Sequence, residues 1–126
     1  MKDEAIYSLL TNDAGVSALV SGRVYPLGLP QNALQPCVSY SVSEEAEDET
    51  FDGQGGLSQA DILIDCWATT YDEAQAVAQA VKSALQNNTG LVAGVNIQRL
   101  ILERSLSVIE DDVDLYRTTQ SFIMNA

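Results

Sequence analysis

Gln59-Ala60-Asp61-Ile62-Leu63-Ile64-Asp65-Cys66-Trp67-Ala68 is the segment whose reading decides the fold. Ala60, Ile62, Ile64 and Cys66 fall on one face, and Gln59, Asp61 and Asp65 on the other. A period of two with one polar side defines a half-buried β-strand. Leu63 and Trp67 break the polarity of the second face. They call for cover by a helix or by a neighbouring subunit, with the subunit contact the preferred reading. Upstream, Val38, Tyr40 and Val42 alternate with Ser39, Ser41 and Ser43, which gives a second strand of the same character. The two are joined by Glu44-Glu45-Ala46-Glu47-Asp48-Glu49-Thr50-Phe51-Asp52-Gly53-Gln54-Gly55-Gly56, first acidic and then rich in glycine. Residues 38–68 therefore read as a long β-hairpin arm.

Downstream, Thr70-Tyr71-Asp72-Glu73 has the form of a capping box, with Thr70 as N-cap and Glu73 three positions on. The helix it opens carries Ala74, Val77, Ala78, Val81 and Leu85 at three- and four-residue spacing, a small-residue face suited to lying on a sheet. Asn87-Asn88-Thr89-Gly90 ends it. Residues 95–109 contain no glycine or proline and read as one extended strand. There Leu100, Leu102, Leu106 and Val108 alternate with Ile101, Glu103 and Ser105, but Arg104 interrupts the apolar side, so a twist or bulge is expected near it. Glu110-Asp111-Asp112 marks a turn, and residues 115–124 return as the last strand.

Upstream of the hairpin, Ile6, Leu9 and Leu10 share one side of a short helix with Asp3 and Glu4 in its first turn. Asn12 or Asp13 offers the N-cap for a second helix with the stripe Val16, Leu19 and Val20, and Gly22 is placed to stop it. Arg23-Val24-Tyr25-Pro26 reads as a short extended piece, 27–36 as a loop, and Pro36 as the entry to the next strand. The order is helix, helix, short strand, strand, strand, helix, strand, strand. Two hairpins around one helix predict an α+β fold, a mostly antiparallel sheet with helices packed on one face, in one domain over 1–126.

The 126 residues carry 18 acidic and 6 basic side chains, a formal charge of −12. A nucleic-acid-binding surface needs a basic stripe to displace counterions, and attachment to anionic lipid needs the same sign. Both are excluded as expectations. The first residues lack the basic and apolar segments of a signal peptide, and no apolar run approaches a membrane span, so residence in a cytoplasm is expected. Cys37 and Cys66 fit no metal spacing and read as buried, reduced thiols, with a disulfide as the minor alternative.

The chain has no histidine, which removes the commonest general base and zinc ligand together. Gly53-Gln54-Gly55-Gly56 precedes a strand rather than a helix and lies beside dense negative charge, so it suits hairpin backbone and not phosphate. Glu44–Asp52 supplies oxygen ligands of the kind calcium and magnesium take, yet the run lacks the ligand spacing of an EF-hand. No catalytic residue, cofactor or metal is expected, and the chain is not read as an enzyme.

Several stretches together resemble one family. Leu19-Val20-Ser21-Gly22-Arg23-Val24-Tyr25-Pro26 is similar to the helix and Gly-Arg-Val/Ile-Tyr-Pro opening of the small tail-completion, or tail-terminator, proteins of long-tailed bacteriophages. Pro36-Cys37-Val38-Ser39-Tyr40 resembles their proline-led first long strand. Asp52-Gly53, the alternating strand after it and Ala68-Thr69-Thr70-Tyr71-Asp72-Glu73-Ala74 resemble their hairpin and helix start, and Leu115-Tyr116-Arg117 their closing strand.

The resemblance implies a virion structural protein, assembled in the bacterial host cytoplasm. It would form a homo-oligomeric, commonly hexameric, ring on the head-proximal end of the tail tube. Its implied partners are the tail tube protein and the head connector or stopper, with DNA passing through unbound. The contact residues expected are Glu44, Glu45, Glu47, Asp48, Glu49, Phe51 and Asp52 on the acidic arm, with Leu63 and Trp67 below. The alternatives are another neck component, a connector or stopper subunit, and an acidic module binding a divalent cation.

Overall fold

Three helices lie on one face of a five-stranded sheet in the computed structural model, which describes residues 2–28, 34, 36–44, 59–110 and 115–125. In chain order the elements are α1 (Lys2–Asn12), α2 (Ala14–Val20), β1 (Val24–Pro26), β2 (Cys37–Glu44), β3 (Gln59–Ala68), α3 (Tyr71–Leu85), β4 (Gly90–Val92), β5 (Val95–Ile97), β6 (Arg99–Glu110) and β7 (Leu115–Asn125). The main sheet runs β1-β2-β3-β7-β6, with β1 parallel to β2 and every other neighbour antiparallel. This is the expected α+β class. Strands β2 and β3 pair from Cys37↔Trp67 to Glu44↔Ala60. The connection between them, which the sequence reads as the arm, lies outside the described residues.

Local chemistry sets the helix ends. The Thr70 hydroxyl accepts the Glu73 backbone N–H at 3.1 Å, while the Glu73 carboxylate accepts the Thr69 hydroxyl at 3.4 Å. Asp13 caps α2 by accepting from the Val16 N–H at 3.0 Å. The stop after α2 takes two residues, since Ser21 (φ 51) enters the left-handed region before Gly22 (φ 79).

The expected strand over 95–109 is two strands. β5 pairs with β4 in a small separate hairpin around Ala93 (φ 48) and Gly94 (φ 83), and Gln98 joins it to β6. β4 is too short for its alternation to register in sequence. The irregularity expected near Arg104 is present: the β6–β7 register shifts between Leu102 and Arg104. Leu100 and Leu102 therefore face the helices, while Leu106 and Val108 face away from them.

The core sits between the sheet and the helices. Val38, Ile62, Ile64, Cys66, Leu100, Phe122 and Met124 meet Ile6, Leu10, Val16, Val20, Val77, Val81 and Leu85 there. Each such side chain contributes about 1.5–3 kcal/mol through removal from water. Gln120 is buried among them and donates from Nε2 to the Ala78 carbonyl at 3.0 Å, which ties β7 to α3. Cys37 and Cys66 are free and buried. Cys37 stands opposite Trp67 and Cys66 opposite Val38, so the two thiols are on opposite faces of the sheet and cannot join.

Candidate interaction surface

The second face of the sheet carries Ser39, Ser41 and Ser43 from β2 and Asp61, Leu63, Asp65 and Trp67 from β3. Arg117, Thr119 and Ser121 from β7 follow, with Arg104 and Leu106 from β6. All three helices contribute to the core on the other side. Leu63 and Trp67, which sequence alternation singles out, stand on this same face four residues apart. Their surroundings differ. The Trp67 indole N–H donates to the Ser39 hydroxyl at 3.2 Å, and the Arg117 guanidinium lies 5.5 Å from the ring centroid. Asp65 accepts from the Thr119 hydroxyl at 2.6 Å and lies 4.0 Å from an Arg117 terminal nitrogen. Trp67 thus receives cover from its own chain, while Leu63 stays 42% exposed.

Leu63 borders a groove of about 320 Å³ lined also by Glu103, Arg104, Leu106, Thr119 and Ser121. Leu106 is 59% exposed. Glu103 accepts from the Ser121 hydroxyl at 3.5 Å across this groove. A second cleft, of about 240 Å³, lies at the other end of β6 among Tyr71, Val108, Ile109 and Tyr116. Glu44 ends β2. Glu45, Glu47, Asp48, Glu49, Phe51 and Asp52 lie outside the described residues. Sequence reasoning missed Leu106 as a surface residue, although the break at Arg104 is the signal that moves it across the sheet. It also missed Leu27, an isolated leucine in a loop.

Burial favours the protonated form of three groups on the sheet, Cys37, Cys66 and Tyr40. Burial pushes the Cys37 thiol up to about 11, against a smaller opposing effect of Arg23. Burial raises Cys66 further, with Asp65 and Cys37 adding to it. Tyr40 is raised by burial, then by the charge of Asp3 and by Tyr7. Among the described residues no group of three or more His, Cys, Asp or Glu is placed to hold a metal ion, and no helix is long and apolar enough to cross a membrane.

The sequence motifs converge in pairs. Val24, Tyr25 and Pro26 lie beside Val38, Ser39 and Tyr40, and Arg23 Nε locks the junction by donating to the Pro36 carbonyl at 3.0 Å. Tyr71 at the start of α3 meets Tyr116 of the closing strand edge-on, with ring centroids 6.3 Å apart. The family model of tail completion protein gp17 matches residues 4–124, which takes in every one of these contacts. The chain belongs to that family. As a tail completion protein it is a structural component of a phage virion, associated there with other virion proteins. Among solved structures, a chain in one described as "Virion of native gene transfer agent (GTA) particle" has the same fold. Its TM-score is 0.74 at 23% identity, over 95% of this chain and 90% of that one. No curated protein matches the sequence.

Proposed function

We propose that this tail completion protein assembles into a homo-oligomeric ring, hexameric as is common in its family, at the head-proximal end of the tail tube. The ring closes the tube and presents a surface to the head connector or stopper. The observation that carries this reading is the open face beside β6. Leu63 and Leu106 stay exposed there on a face to which no described helix packs, next to a 12-residue edge strand with no outer neighbour among the described residues. An edge of that length with adjacent apolar side chains is a template for association, and a contact between two different surfaces builds a ring where its rotation closes.

The protein acts by contact and not by catalysis, in keeping with a chain that has no histidine. DNA passes through the ring without specific binding. The charge of −12 is repulsive to phosphate, over about 8 Å at physiological salt. Light scattering with negative-stain imaging tests the ring, and pull-down against tail-tube protein and against the portal complex tests its place. A chain that stays monomeric and binds no tail tube overturns the reading.

A further inference from the structure

The outer edge of β6 is occupied over its first part and open over its second. Near its start the chain after α3 lies against it. There the Asn87 N–H donates to the Leu100 carbonyl at 2.8 Å, and the Leu102 N–H donates to Gln86 Oε1 at 3.2 Å. Over residues 104–110, beyond the register shift, no described strand pairs with that edge.

Backbone groups in an antiparallel sheet point by turns to one neighbour and to the other. The Val38 N–H and the Tyr40 carbonyl are engaged on the β1 side, by the Arg23 carbonyl and the Leu27 N–H. Carried along the paired rows, this alternation turns Cys66 and Ile64 toward β7, Thr118 and Gln120 toward β3, and Ser107 and Ser105 outward. Ser105, Ser107 and Ile109 therefore offer N–H and carbonyl groups to a further strand. Side-chain bonds from Ser107 to Gln75 and Thr118 hold the middle of this stretch in place.

The open stretch is complementary to itself. Laid antiparallel on a second copy about Ser107, it pairs along its whole length, with Ser105 opposite Ile109 and Leu106 opposite Val108. Leu106, 59% exposed in the single chain, and Val108 then form one apolar strip with their counterparts. At both ends of the pairing Arg104 falls opposite Glu110, residues of opposite charge. Every other register pairs fewer residues and separates these two. The far edge of the sheet is a poorer mate, since β1 has three residues and the last, Pro26, has no N–H to donate.

We infer that residues 104–110 pair with the same stretch of a second copy, antiparallel and centred on Ser107, joining two five-stranded sheets into one. The contact is isologous and closes on itself, so it makes a two-fold dimer of the free chain and is not the ring contact. It covers an edge that otherwise recruits other chains. The ring reading needs that edge, so the pair must part before a ring neighbour takes its place.

Single cysteines on and off the two-fold axis test it in the full chain. Ser107→Cys stands opposite its own counterpart, with Cα atoms about 5.5 Å apart, a span that a disulfide bridges. Ser105→Cys lies about 14 Å from its counterpart, too far to join. The native thiols are buried and do not compete. Light scattering of the free parent chain is expected to give a dimer, and oxidation to link Ser107→Cys while leaving Ser105→Cys unlinked. Ser105→Pro removes an N–H that points out of the sheet, so it is expected to stay folded and to dimerise roughly tenfold more weakly or worse. A free chain that is monomeric at every concentration overturns the pairing and leaves a ring on tail tubes untouched. Linkage of Ser105→Cys without linkage of Ser107→Cys overturns it as well. A dimer linked through Ser107→Cys that binds no tail tube supports the pairing and overturns the ring.

Discussion

The Arg117 guanidinium stands over the Trp67 indole, 5.5 Å from the ring centroid, on the face of the sheet to which no described helix packs. A cation over an indole contributes about 0.5–1 kcal/mol when exposed and about 2 kcal/mol when desolvated. The 4.0 Å pair with Asp65 adds little, because it is partly open to solvent. Arg117→Ala is therefore expected to cost about 1–2 kcal/mol in urea unfolding and to shift the emission of Trp67, the only tryptophan. An unchanged midpoint together with unchanged emission refutes the stacking account.

Thr70 holds the first turn of α3 through one hydrogen bond to the Glu73 N–H. Thr70→Ala should lower stability by about 1 kcal/mol, and Thr70→Asp should retain most of it. Denaturant midpoints of the two variants check this. Equal losses would place the effect in packing rather than capping.

Elements with a clean period were legible in the sequence. The buried face of β3 recurs at every second residue and α3 has both a capping box and a stripe, so their places followed from residue order. The bulge in β6 was visible as Arg104 standing out of phase. What was not legible is instructive. β4 and β5 offer three residues each, too few to show a period, and their turn depends on Ala93 adopting a positive φ that alanine seldom takes. Trp67 and Leu63 looked equivalent, because cover for Trp67 comes from Arg117, 50 positions away. Leu27 is conspicuous only through a dihedral angle.

Faces of one strand should answer differently to mutation. Ile62 is fully buried and Leu63 is half exposed, although they are neighbours. Ile62→Ala is expected to cost about 2–5 kcal/mol. Leu63→Lys should stay within about 0.5 kcal/mol in the isolated chain, yet impair assembly. Thermal melts and light scattering on the same samples separate the two quantities. A large melting loss in Leu63→Lys would mean that the groove belongs to the core.

The buried thiols make stability depend on alkaline pH. Cys37 is raised from 9.0 to about 11, so the native chain keeps a proton that the unfolded chain releases. The stabilisation is whole below pH 9.0 and declines as pH rises toward about 11. The raised Cys66 and Tyr40 act in the same direction. Urea titrations on either side of pH 9.0 should show the decline, and Cys37→Ala should make it shallower. A slope identical in the variant would assign the alkaline loss to other groups.

The register shift at Glu103 has a consequence for how such a surface arises. Strand faces follow parity, and one supernumerary residue reverses parity for everything after it. Were β6 regular, Leu106 and Val108 would continue the side begun by Leu100 and Leu102, and the strand would serve its own interior along its full length. With the shift, the first part of the strand belongs to the monomer and the second to whatever stands beside it. A single-codon insertion or deletion is therefore enough to convert inward-facing leucines into an adhesive edge, or to withdraw them, without altering the composition of the strand.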